Sequence, residues 1–101
     1  MFLKKRFLKF SENKELKYKG SFKQDLEKCN KSVTEEVFKS VMEIKKATSK
    51  EQIQNLKKLR KYKSLYRIKI AEVYRIGIII KKDTVWLVRI GHRNNFYKDF
   101  P

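Results

Sequence analysis

The chain has 101 residues and a net charge of +16, from 27 lysine and arginine against 11 acidic side chains; that length supports one modest core and excludes two. Its 41% apolar and 13% aromatic content, with three Gly and one Pro, excludes a disordered polymer, while a single cysteine and a single histidine exclude a disulfide framework and the usual zinc patterns. A field of this sign favours polyanions such as RNA, DNA, an anionic membrane or an acidic protein, and the cysteine usage suits a reducing cytoplasm.

In chain order, "MFLKKRFLKF" alternates apolar and basic residues. It has no continuous apolar region and no small-residue cleavage site, so it does not read as a secretory signal, and no stretch anywhere is long and apolar enough to cross a membrane. Residues 1–13 are therefore read as an N-terminal extension and residues 14–101 as a single domain. "ELKYKGS" reads as a brief edge strand ending at Gly20. Ser21 followed by Gln24 suggests a capping box for a short helix with Phe22, Leu26 and Cys29 on one face. In "NKSVTEEVFKSVMEIKKATS" a longer helix is predicted, capped by Ser32 or Thr34, with Glu35 and Glu36 near its positive end and Val37, Val41 and Ile44 as its apolar stripe. Ser49 and Gln52 repeat the cap signature before Ile53, Leu56 and Leu59, which predicts one or two further helical turns.

From Ser64 the period becomes twofold. Three strands are expected, over residues 65–70, 73–81 and 84–91, joined by tight turns at Ala71-Glu72 and Lys82-Asp83. The whole reads as an α+β fold, a small antiparallel sheet packed on the N-terminal helices. Alternation assigns Tyr66, Ile68 and Ile70, then Tyr74, Ile76, Ile78 and Ile80, then Trp86, Val88 and Ile90 to the helix side. Arg67, Lys69, Arg75, Arg89 and Arg93 then converge on the opposite face beside Leu65, Ile79 and Leu87. Cations mixed with aliphatics on one face suit a partner better than plain solvent.

These segments resemble the RelE/ParE superfamily of bacterial toxin–antitoxin toxins, especially its RelE-like branch. The likeness is carried by "NLKKL" at Asn55 to Leu59, taken as a helix end, "YRIKI" at Tyr66 to Ile70, "YRIG" at Tyr74 to Gly77 and "HRNNFYKDFP" at His92 to Pro101. It reaches upstream to "SFKQDLEK" at Ser21 to Lys28. Two features depart from the family pattern: the "AEV" turn is not of the usual Gly-Asp type, and the first ten residues precede the point where such toxins begin. The resemblance implies a RelE-like fold and a metal-independent endoribonuclease that cleaves mRNA on the translating ribosome. It also implies a cognate antitoxin that wraps the toxin, contact with 16S rRNA, and operator DNA binding only as a complex with the antitoxin. No cofactor, metal or membrane is implied. The alternative within the superfamily is a ParE-like toxin that poisons DNA gyrase and needs no nuclease residues.

By the same likeness Arg67 and Lys69 occupy the paired basic positions of "YRIKI", Arg75 the arginine of "YRIG", Arg93 the arginine after the last strand and Tyr97 the C-terminal aromatic, while His92 matches the histidine of this branch. Metal-free RNA cleavage needs a base for the ribose 2′-hydroxyl, cations for the phosphorane-like charge and an acid for the departing 5′-oxygen. Lys69 or His92 fits the base, Arg67 and Arg75 the charge stabilisers, Arg93 or His92 the acid, and Tyr97 a stacking or orienting group. Lys57, Lys58, Arg60, Lys61, Lys63 and Arg89 are read as RNA contacts. Phe96 and Phe100 are expected to dock the tail so that Tyr97 faces the basic pocket. An antitoxin with an apolar stripe and acidic residues is expected to cover Leu65, Ile79 and Leu87. Cys29 reads as a packed small hydrophobe.

Overall fold

The computed structural model describes residues 14–100, so the 1–13 extension and Pro101 lie outside the described residues. Strand β1 (Glu15–Tyr18) is followed by helices α1 (Gly20–Lys28) and α2 (Lys31–Lys46), a 3-10 turn (Lys50–Gln52), strands β2 (Leu56–Lys58), β3 (Leu65–Ile70), β4 (Tyr74–Lys81) and β5 (Thr84–His92), and helix α3 (Arg93–Asp99). The five strands lie in the order β1-β5-β4-β3-β2. β1 runs parallel to β5, Lys17 opposite Trp86, so the sheet is mixed where the sequence suggested a wholly antiparallel one. The remaining pairings are antiparallel.

Both long helices form where expected but are capped elsewhere. Ser21 lies inside α1, where its hydroxyl donates to the Val88 carbonyl at 2.6 Å and so ties the helix to β5 instead of capping. The cap of α2 is Asn30, neither Ser32 nor Thr34; its side-chain oxygen accepts from the Val33 N–H at 2.9 Å, satisfying one orphan donor of the first turn. At the other end of α2 the Lys14 ammonium donates to the Lys45 and Ala47 carbonyls, and burial pushes its pKa down. Val33, Val37 and Ile44 are buried and Val41 packs against them, leaving Phe38 and Met42 exposed.

The helical reading of Ser49 to Leu59 is overturned. Only the single 3-10 turn forms, Asn55 adopts a left-handed φ of 64° that stops any helix, and Leu56–Lys58 pairs with Tyr66–Ile68 as strand β2. "NLKKL" is thus a strand, not a helix end.

β3 and β4 keep the expected parity, with Tyr66, Ile68, Ile70, Ile76, Ile78 and Ile80 buried beneath the helices. β5 does not. Gly77 pairs with Arg89 but Ile78 pairs with Leu87, so Val88 is an extra residue that reverses the phase of everything before it. Val85 and Leu87 consequently enter the core at 0% and 4% exposure, Ile90 remains inside, and Trp86 turns to the outer face. The expected inward Trp86 and outward Leu87 are exchanged by this one bulge.

The outer face is itself partly covered. α3 lies across it, with Phe96 and Phe100 buried, and the seats are two glycines: a Cβ on Gly77 would stand 2.8 Å from the Phe100 ring, and one on Gly91 3.5 Å from the Phe96 backbone. The sheet therefore has α1 and α2 on one side and the short α3 on the other.

Candidate nucleic-acid interface

Cross-strand register arranges the outer face in rows, since directly paired residues share a face. One row is Lys69, Arg75, Gly91; the next is Lys57, Arg67, Gly77, Arg89; the third is Leu65, Ile79, Trp86, Lys17. Lys69 and Arg75 are thus direct cross-strand neighbours, with Arg67 one row along.

The guanidinium groups are held by backbone oxygens. Arg75 Nη1 donates to the Glu72 and Tyr74 carbonyls, both at 3.0 Å, while its Nε is buried with no hydrogen-bond partner among the described residues. Arg67 Nη1 donates to the Asn55 carbonyl at 3.3 Å. Carbonyls fix these side chains without neutralising them. Arg89 differs: its Nε lies 3.1 Å from the Asp25 carboxylate of α1, which also accepts from the Ile90 N–H at 2.9 Å. The residue read as an RNA contact is therefore one half of an ion pair between α1 and β5.

Helix α3 brings its own cation and aromatic. Arg93 and Tyr97 stand one turn apart and both are exposed, while the Tyr97 ring meets Phe96 edge-on at 4.9 Å. Phe96 and Phe100 dock the tail as expected, over the outer face of the sheet at Gly77 and Gly91. His92 is not gathered into the cation cluster. It pairs with Tyr74 on the helix-side parity, its ring lies edge-on to the Tyr74 ring at 5.6 Å, and its Nδ1 accepts the Asn94 N–H at 3.2 Å as the N-cap of α3. With Nδ1 accepting, the remaining nitrogen carries the hydrogen in the neutral ring.

Of the remaining predicted contacts, Lys57, Arg60, Lys61 and Lys63 are exposed on β2 and the loop after it. Lys58 points to the other parity and donates to the Tyr62 carbonyl at 2.8 Å, bracing that loop. The Cys29 thiol is pushed up by burial and by the Asp25 carboxylate, consistent with a packed and unreactive group. Sequence reasoning missed Gly77 and Gly91; glycines inside two neighbouring strands were the available signal that another backbone or ring approaches closely. It missed Asp25 as well, for which nothing local gave a sign.

Residues 16–97 match the family described as the ParE toxin of the type II toxin–antitoxin system parDE. The chain is 40% identical over 47 residues to Toxin RelE3 of Methanocaldococcus jannaschii, a match that spans 46% of this chain and about half, 52%, of that protein. Among solved structures it resembles a chain of the RelB–RelE antitoxin–toxin complex from Methanococcus jannaschii, with a TM-score of 0.72 and 27% identity over 83% of this chain and 98% of that one. It shares its fold with a chain of the RelBE2 toxin–antitoxin complex from Mycobacterium tuberculosis, with a TM-score of 0.62 at 18% identity over 79% of this chain and 91% of that one.

Proposed function

The chain belongs to the ParE toxin family of type II toxin–antitoxin systems, within the RelE/ParE superfamily, and from that premise we propose that it is a metal-independent endoribonuclease acting on translated mRNA. The observation that carries this reading is the triangle of Arg67, Lys69 and Arg75 on one sheet face, two of its members fixed by carbonyls that leave their charge intact. In this scheme Lys69 takes the proton from the ribose 2′-hydroxyl, and the resulting oxyanion attacks the adjacent phosphorus. The bond to the 5′-oxygen breaks, leaving a cyclic phosphate and a free 5′-hydroxyl.

Arg67 and Arg75 stabilise the charge that builds on the non-bridging oxygens, where fixed donors contribute most. Arg93 donates a hydrogen bond to the departing 5′-oxygen and stabilises its charge while that oxygen takes its proton from a solvent water, and Tyr97 stacks on a neighbouring base. His92 acts as a positioning residue: its occupied Nδ1 and its parity favour a role in holding α3, and with it Arg93 and Tyr97, over the sheet. The base is therefore assigned to Lys69.

A cognate antitoxin is the expected partner. The groove between β1, α1 and α2 offers Tyr18, Phe38 and Leu26 with Lys23 and Lys45 at its rim, chemistry that suits an acidic amphipathic segment. The expected single cover over Leu65, Ile79 and Leu87 is not possible on one face, because Leu87 lies on the helix side, where it forms part of the floor of this groove, and Leu65 and Ile79 lie on the outer side. The family description, ParE, favours one second reading, inhibition of DNA gyrase through protein contacts.

Primer extension on translated mRNA with the purified protein tests the first reading, with ribosome-free mRNA as control. Ribosome-dependent cuts that vanish in Arg75→Ala support it. An uncut message together with inhibited DNA supercoiling supports the second.

A further inference from the structure

The bulge in β5 does more than exchange two side chains. By bringing Trp86 outward it completes the row Leu65, Ile79, Trp86, Lys17, which crosses four strands and spans about 14 Å at the interstrand spacing. This row lies beyond the catalytic triangle, four residues along β4 from Arg75. All three apolar members are partly exposed, and cations stand at both ends.

At the β1 end the Lys17 and Lys19 ammonium groups lie 5.2 Å and 4.2 Å from the centre of the indole ring. At the β2 side the loop carrying Arg60, Lys61 and Lys63 joins β2 to Leu65, the first member of the row, with the Leu59 N–H donating to the Leu65 carbonyl. An apolar floor with one aromatic, bounded by flexible lysines, is the composition that holds single-stranded nucleic acid: bases stack on the ring and phosphates meet the ammonium groups. Glu15, the acidic side chain near Lys17, sits 3.7 Å from it and leaves Lys19 as the principal cation over the ring.

We propose that Trp86, with Lys17 and Lys19, forms a base-stacking subsite for single-stranded RNA, separate from the catalytic triangle and continuous with the basic loop of residues 60–63. An arriving base displaces the Lys19 ammonium from the indole face, and that ammonium then meets the adjoining phosphate. The proposal shares the RNA substrate class with the functional reading above but makes its own demand, that RNA touches the indole.

Trp86 is the only tryptophan in the chain, so its fluorescence reports on this subsite alone. The probe is a 2′-O-methyl oligouridylate of eight nucleotides, which binds but lacks the attacking hydroxyl. Saturable quenching that weakens with added salt is expected. Lys17→Gln with Lys19→Gln should weaken it several-fold. By anisotropy of a labelled oligonucleotide, Trp86→Leu should bind about 5- to 150-fold more weakly, the range for loss of one stacked base. Circular dichroism checks that this variant is folded; if it is not, the double lysine variant decides.

Anisotropy binding with unquenched Trp86 would place RNA elsewhere and overturn the proposal. So would an equal response to an octaglutamate peptide, which would make the row a surface for acidic protein. Quenching by the wild type without any cleavage of translated mRNA would overturn the nuclease reading and leave the subsite standing. Cleavage by a Trp86→Leu variant with unaltered affinity would do the reverse.

Discussion

Gly77 is the residue on which the tail helix turns, and Gly77→Ala tests it. The added methyl would lie 2.8 Å from three atoms of the Phe100 ring, whereas carbon atoms rest at about 3.5 to 4.0 Å, so ring or helix must retreat by at least ~0.7 Å. Forcing a methyl into a filled site costs about 1 to 3 kcal/mol. For a domain of this size each kcal/mol lowers Tm by about 4 to 8 °C. Phe100→Ala alone removes a ring that is 3% exposed, at about 3 to 5 kcal/mol for a core site and less where a chain end relaxes.

The decisive measurement is the double variant, because the methyl has nothing to strike once the ring is gone. Gly77→Ala should then cost almost nothing further in the Phe100→Ala background, giving a coupling of about 1 to 3 kcal/mol between sites in contact. Urea midpoints at constant slope supply all four corners of the cycle. Activity gives a second reading: displacement of α3 by a sizeable fraction of an ångström should lower cleavage markedly, since a 1 Å misplacement can cost about 100-fold. Strictly additive losses, or a neutral Gly77→Ala, would refute the claim that these glycines seat the helix.

Three further outcomes are expected. Glu72, at a φ of 60° where an L side chain is strained by about 1 to 2 kcal/mol, should be stabilised by roughly 0.5 to 1 kcal/mol on replacement by Gly once the entropy of glycine is subtracted, read as a raised Tm. Asn30→Ala should destabilise the fold by about 1 kcal/mol through loss of the α2 cap, whereas Ser32→Ala and Thr34→Ala should leave the urea midpoint nearly unchanged. RNA affinity should fall steeply with salt; Arg67→Ala should reduce the log–log slope by about 0.7, the value for one single-strand phosphate contact, while Arg89→Ala, already paired with Asp25, should leave the slope unaltered.

Much of the sheet was legible because isoleucine alternation in β3 and β4 leaves little choice of face, and α2 because Val37, Val41 and Ile44 keep one stripe, which Val33 extends to about three turns. What failed did so for physical reasons. Ile53, Leu56 and Leu59 recur every third residue, which suits a helix as well as a turn followed by a strand; only the left-handed Asn55 decides between them. In "VWLVRI" every position but Arg89 is apolar, so the pattern could not register the extra residue that shifts Trp86 and Leu87. A seven-residue helix carries too little periodicity to announce itself, although Phe96 and Phe100 are spaced for one. The cation triangle was readable from parity alone. The bond from Asp25 to Arg89 was not, because it joins segments far apart in the chain.

That bond also separates two kinds of arginine on one small surface. A guanidinium against a carboxylate is fixed but largely neutralised, while one against carbonyl oxygens is fixed and keeps its charge. Arg67 and Arg75 are of the second kind and Arg89 of the first. In a chain of +16, holding unneutralised charges together is costly through mutual repulsion, and the hydrogen bonds to Asn55, Glu72 and Tyr74 carbonyls offset part of that cost without removing the field. The hairpin turn that supplies the Glu72 carbonyl is the same one that places Ala71 and Glu72 at positive φ, so the strain there and the aim of Arg75 arise from one piece of backbone. In the proposed mechanism a phosphate entering between Arg67, Lys69 and Arg75 would meet two guanidinium groups already held in place by carbonyls, so little side-chain reorganisation would be required as negative charge accumulates on its oxygens.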